Sequence, residues 1–228
     1  MPTTPRRLIV LGDSLFAEIA FEYFTHDSEY DVVGFAVEEE YRKQETFHGL
    51  PVHPFETLEE HVDVGEHSVF AALTYTKLNR VRQRLAGEAK RKGFALASYV
   101  SSQAFVWRNV KLGEHNFIFE DNTIQPFVSL GDNNVLWSGN HIGHHSTLGN
   151  NLFISSHVVI SGNVTVGDNS FLGVNATLVN DISIGRDNWI GPAVTVMKST
   201  KDNQFWLPPR SALRETTPRD AFGVEDPA

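Results

Sequence analysis

An α/β domain followed by a parallel β-helix is the fold class this sequence predicts, and three observations carry the prediction. From Val106 to Val196 every sixth residue is aliphatic, through Leu112, Ile118, Ile124, Leu130, Leu136, Ile142, Leu148, Ile154, Ile160, Val166, Leu172, Leu178, Ile184 and Ile190. Glycine follows these stops at Gly113, Gly131, Gly143, Gly149, Gly167, Gly173, Gly185 and Gly191, where a chain turning a corner favours a residue without a Cβ. Ahead of them, apolar runs of strand length alternate with stretches of helical spacing. A fixed six-residue period is the signature of a hexapeptide solenoid, in which each unit is a strand and a turn and three units close one coil.

The N-terminal elements follow in order. Residues 7–12 (RLIVLG) read as a buried strand: continuous, branched and ended by a turn. Residues 14–24 show helical spacing through Leu15, Ile19 and Tyr23, with Asp13 or Ser14 as the cap. Strands are expected at 31–37 (DVVGFAV) and 67–75 (HSVFAALTY), then a basic amphipathic helix over about 78–92 and a last strand at 95–100. Strands alternating with helices imply a small parallel sheet of the nucleotide-binding sort. The expected domains are 1–101, 102–200 and a tail, 201–228, that caps the last coil and then becomes disordered.

Within the solenoid, residues eighteen apart stack, and the residue before each aliphatic stop points outward. One outward column reads Lys111, Ser129, Thr147, Thr165, Ser183, a solvent face. Another reads Phe117, Val135, Phe153, Phe171, Trp189 and is too apolar for water. Either the N-terminal domain or a tail covers it, or it is a subunit seam; the expectation here is a seam, closed by three-fold symmetry.

Composition narrows the chemistry. The chain has 228 residues, no cysteine and a net charge of −9. Disulfides, thiolate metal sites and a cysteine nucleophile are excluded. No basic stripe follows a nucleic-acid backbone, and the first apolar run ends at Gly12, too short for a membrane span, so a cytoplasmic enzyme is expected.

Four of the ten histidines, His141, His144, His145 and His157, fall within one short run. His144 and His145 occupy a corner just after Ile142, and a histidine there suits a general base because it titrates near working pH. Eighteen residues on, His144 stacks on Gly162, whose N–H is left open to a developing oxyanion. His157 lies on a different corner, so the two histidines converge only across a subunit contact. In the first domain, the turn Gly12, Asp13, Ser14 keeps one glycine of a dinucleotide fingerprint, which argues against a redox dinucleotide. Glu38 is a candidate for a ribose hydroxyl or part of a solvated acidic loop, Arg80 a candidate for a phosphate or a surface residue beside a cap, and Trp137, Ser138 and Asn140 are candidates to line an acceptor pocket, with turn chemistry as the other reading.

These residues carry a resemblance. The runs IGHHSTLG, SHVVISGNVTVG and FLGVNA make the whole chain resemble the PglD and NeuD family of bacterial sugar acyltransferases. The resemblance implies a Rossmann-like first domain, a left-handed parallel β-helix, a homotrimer, and N-acylation of a nucleotide-linked amino sugar by acetyl-CoA in a surface-polysaccharide pathway. It implies that His144 is the base, that Gly162 offers its N–H to the acyl carbonyl, and that Ser156, His157, Gly162 and Asn175 lie on the CoA side; no metal is implied. His145 stands where family members commonly carry a carboxylate, so either Glu120 or Asp121 on a lower coil replaces it or the base works less well. O-acylation, a zinc enzyme using His141 and His145, and a catalytically silent nucleotide-sugar binder are the alternative readings.

Overall fold

The computed structural model describes residues 6–224. Strand β1 (Arg6–Leu11) is followed by helix α1 (Leu15–His26), β2 (Tyr30–Val37), β3 (Thr46–Phe47), β4 (Leu50–Pro54), α2 (Leu58–His61), β5 (His67–Ala71), α3 (Arg80–Arg91) and β6 (Ala95–Leu96). They form one sheet in the order β3-β4-β2-β1-β5-β6, parallel except for the short β3–β4 pairing. Alternation divides the buried strand residues between two faces. Leu8 and Val10 join Phe16, Ala20 and Phe24 of α1, whereas Ile9 and Leu11 join Leu58 of α2 and Leu85 and Ala89 of α3. Two details differ from the sequence reading. The strand expected at 67–75 stops at Ala71, and the one expected at 95–100 is two strands, β6 and a first rung of the solenoid at Tyr99–Val100.

From Tyr99 to Val196 the chain winds a three-sided prism of two-residue rungs stacked in parallel at the eighteen-residue register, and a closing rung, Phe205–Trp206, pairs with Trp189–Ile190 below it. Its inward aliphatic residues form one core running from Ile118 to Val196. This architecture fits the β-helix that the hexapeptide period predicts. The polar column is solvent-facing as expected, with Lys111, Thr147, Thr165 and Ser183 exposed. Corner residues such as Asn133, His145, His157, Asn163 and Asp181 take left-handed backbone angles, with φ between 58° and 63°. At φ near +60° asparagine and aspartate suffer least of the residues with a Cβ, which accounts for much of the corner composition.

The apolar column is not a subunit seam. Phe117 and Val135 are fully buried, and they share a single cluster with Phe16, Phe24, Phe70 and Tyr99. Higher up, Tyr75 packs its ring against Phe153, Phe171 and Trp189 at 4.7–5.7 Å between centroids. The chain's own N-terminal domain covers this face. The closing rung Phe205–Trp206 extends the column beyond Trp189, and past it residues 207–224 are mostly exposed, including one short helix, α4 (Pro218–Phe222). The rest of the expected tail lies outside the described residues.

Polar contacts fasten both corners that flank the covered face. On one, Tyr23 donates to Glu120 at 2.7 Å, and Asp27 accepts from Tyr99 at 2.6 Å and from the Ser102 N–H at 2.9 Å. On the other, buried Arg82 donates to the carbonyls of Ala71, Asn133 and His115 at 2.5–2.9 Å. Asn79 donates to the Asn151 carbonyl and Arg80 pairs with Asp187. The remaining corner, opposite the covered face, carries His144 and His145.

Candidate active site

His144 follows the rung His141–Ile142, and the corner turns through His145 at φ 59°. Register is held by the main chain: the His145 N–H donates to Pro126 below, and Asn163 N–H to the His144 carbonyl at 2.8 Å. The His144 N–H is also taken by the Gln125 side chain at 2.9 Å. One coil up, a Cβ on Gly162 would fall 2.6 Å from Cε1 and 2.7 Å from Nε2 of His144. The imidazole therefore lies across space that only a glycine leaves free. Both rings are exposed at this corner, so a substrate can reach them. The pairing of His144 with Gly162 stands as the register predicts.

Nδ1 of His144 is 3.1 Å from Nδ1 of His145, and the His145 ring stacks on Phe127 with centroids 4.6 Å apart. Glu120 and Asp121 do not replace the missing carboxylate. Glu120 belongs to a different corner, where it accepts from Tyr23 and Ser138. Burial pushes its carboxyl up, but the hydrogen bonds from Ser138 and Tyr23 outweigh burial and leave it below the usual range. Asp121 is the next residue on that same corner.

His157 is exposed on the corner between the covered face and the face bearing His141, above Gly139, where a Cβ would lie 2.6 Å from its Cε1. Asn175 stacks one coil higher and donates its N–H to the Ser156 carbonyl at 3.2 Å. Ser156 lines a cleft of about 270 Å³ between the solenoid and the loop after β5, with Thr74, Tyr75, Trp137, Phe153 and Val174. The Trp137 indole stacks on Phe119 at 4.5 Å, and its buried N–H has no partner among the described residues. Trp137 thus belongs to this cleft, but Asn140 does not. Asn140 is buried, donates to the Trp137 carbonyl and accepts from Val158 N–H at 2.8 Å, so it ties adjacent coils together. Asn116, Asn122 and Asn134 bind turn carbonyls in the same way, a ladder the sequence reading missed.

The first domain holds a second cavity, at the C-terminal edge of β1 and β2. Gly12, Asp13, Ser14, Glu38, Tyr41, Phe55 and Leu73 are among the residues that line its approximately 170 Å³. Gly12 has φ 116° and a Cβ there would press on the Ala72 carbonyl at 3.2 Å, so glycine is required for the β1–α1 turn. Ser14 is the N-cap of α1, but its hydroxyl caps nothing, so it remains available to a ligand. Glu38 is engaged by Arg84 through two contacts of 2.9 Å. Arg80 is not at this cavity; its ion pair with Asp187 makes it an interdomain clamp. Among the described residues, no three His, Cys, Asp or Glu side chains are grouped to hold a metal ion. No described helix is long and apolar enough to cross a membrane.

No protein-family model matches this chain, and no curated protein matches it. Solved structures do. The acetyltransferase domain of PglB from Neisseria gonorrhoeae, which is also known in complex with acetyl coenzyme A, superposes with a TM-score of 0.78 at 20% identity over 88% of this chain and 95% of that one. PerB from Caulobacter crescentus, in complex with CoA and GDP-perosamine, gives 0.73 at 24% identity over 87% and 92%. WeeI from Acinetobacter baumannii gives 0.70 at 17% identity over 87% and 94%. The likeness spans both domains and extends to their relative placement.

Proposed function

Starting from a fold shared with sugar acetyltransferases, we propose that this chain is an acyl-CoA-dependent acyltransferase, with acetyl-CoA as donor and the amino group of a nucleotide-linked sugar as acceptor. The observation that carries the proposal is the His144 imidazole lying across the space that Gly162, lacking a Cβ, leaves free. Neighbours of the same fold bind acetyl coenzyme A, or CoA with GDP-perosamine. In this reading the nucleotide occupies the cavity of Gly12, Asp13, Ser14 and Glu38. His144 Nε2 takes a proton from the amine as nitrogen attacks the thioester carbonyl. The Gly162 N–H holds the oxyanion, and CoA leaves as the tetrahedral intermediate collapses. Ser156, His157 and Asn175 line the CoA side.

The active assembly in this proposal is a homotrimer with sites between copies. His144 lies on the corner farthest from the nucleotide domain of its own chain, so donor, acceptor and base are brought together by a neighbour's surface. Cytoplasmic function in polysaccharide assembly belongs to the same reading. The test is release of free thiol from acetyl-CoA against UDP-, dTDP- and GDP-linked amino sugars, with His144→Ala alongside. Turnover on an amino sugar that falls about 10²- to 10⁴-fold in the variant supports it. Turnover only on hydroxyl acceptors would move the assignment to O-acylation, and binding without turnover would remove the enzymatic claim.

A further inference from the structure

The corner that carries His144 has its own column of left-handed residues: Phe127, His145, Asn163 and Asp181, one per coil, with φ between 59° and 65°. Each touches a neighbour in the stack. The Phe127 ring stacks on that of His145, and Asn163 Nδ2 donates to Asp181 Oδ1 at 2.9 Å. Asn180 adds a second donor to the other Asp181 oxygen. His145 alone reaches sideways, placing Nδ1 at 3.1 Å from Nδ1 of His144.

Two imidazole nitrogens at that separation share one proton. If His145 supplied it, His144 would carry its own proton on Nε2 and have no lone pair facing Gly162. If His144 supplies it, Nε2 is free, and of the two ring nitrogens it is Nε2 that lies nearer the space above Gly162. The geometry therefore selects one tautomer for a base acting at Gly162. A neutral acceptor cannot offset the charge that His144 gains when it takes a second proton. Hydrogen bonds from Asn163 and Asn180 hold the Asp181 carboxyl below its usual range.

We propose that His145 is the positioning residue that keeps His144 as the Nδ1–H tautomer. This rests on the acyltransferase reading above. Two Nδ1–H groups would oppose each other at 3.1 Å, so one of the two nitrogens must accept. The other charged groups stacked at this corner are Arg108, two coils below His144 beneath Pro126, and Lys198, above Asn180 at the top of the solenoid; His141 opens the adjoining rung.

The experiment has one arm that needs no turnover. Long-range ¹H–¹⁵N spectra of the full-length wild type should show His144 with Nδ1 protonated and Nε2 bare. His145→Phe, whose ring a left-handed corner already accepts at Phe127, should lose the tautomer preference; His145→Asn, which keeps a neutral acceptor, should retain it. In the kinetic arm His145→Phe should lower kcat about 10- to 100-fold with KM for acetyl-CoA unchanged, and His145→Asn should recover most of it. An Nε2–H tautomer in the wild type, or a tautomer preference that survives in His145→Phe, overturns the inference. A protein with the expected tautomer but no acyltransfer would instead overturn the function proposed above.

Discussion

At the residue scale the site depends on two absences of a side chain. Gly162 lacks a Cβ where His144 lies, and Gly139 lacks one where His157 lies. Gly162→Ala should therefore drive a methyl into the His144 ring, and we expect a loss of about 10²-fold in kcat with the thermal transition little changed, since the corner is open enough for the ring to swing away. Kinetics and calorimetry on the same preparation check both halves. His115 makes the opposite case, a histidine whose role is structural. It is fully buried, its Nε2 accepts from Ala71 N–H at 2.9 Å, and burial, with the Arg82 charge, holds it well below its ordinary value. A base held low in the folded state leaves stability untouched above the unfolded pKa and removes it as pH falls below that value. Stability should fall by up to about 1.4 kcal/mol per pH unit below pH ~6.5 from this group. His53, also lowered by burial, acts in the same direction, so the check is the urea midpoint at pH 7.5 and 5.5 in wild type and His115→Gln. The variant should show the shallower decline.

At the scale of elements, the two domains share one apolar interior. Phe117 of the solenoid touches Phe16, Phe24 and Phe70 of the α/β domain with ring centroids 5.1–5.7 Å apart. Phe117→Ala should destabilise the chain by about 3–5 kcal/mol, and the wild type should melt in one transition rather than two. Scanning calorimetry that resolved two independent transitions would contradict the shared core. The short elements between β2 and β5 were not legible in the sequence. Two-residue strands such as β3 offer no periodicity to read, and α2 is a single turn. The strand expected through residue 75 fails for a tertiary reason: beyond Ala71 the chain leaves the sheet so that Tyr75 can lie on Phe153, Phe171 and Trp189, with Lys77, Leu78 and Asn79 all at left-handed angles.

For the whole molecule, covering the aromatic face in cis leaves the other two faces and the His144 corner for contact between copies. A site shared between subunits makes a specific prediction about mixtures. His144→Ala and His157→Ala preparations, each nearly inactive, should recover part of the wild-type rate when unfolded together and reassembled, because some sites then draw one intact corner from each chain. Reassembled single variants serve as controls, and light scattering reports the assembly. Failure of the mixture to exceed its parents would place both histidines in one chain's site, against the corner geometry.

The solenoid was readable from residue identity because its information is local. A six-residue aliphatic period dictates the coil, the coil length dictates which residues stack, and stacking alone brings His144 over Gly162. Gly12 marked the β1–α1 turn for a similar reason, since its backbone angle is one that other residues reach only at a cost. Contacts between parts distant in sequence were settled only by tertiary structure. The Phe117 column reads the same whether a partner subunit or the chain's own domain covers it, because burial of apolar area has no direction. Arg80 and Asn140 carried polar groups suited to a ligand, and folding gave those groups to Asp187 and to the neighbouring coils.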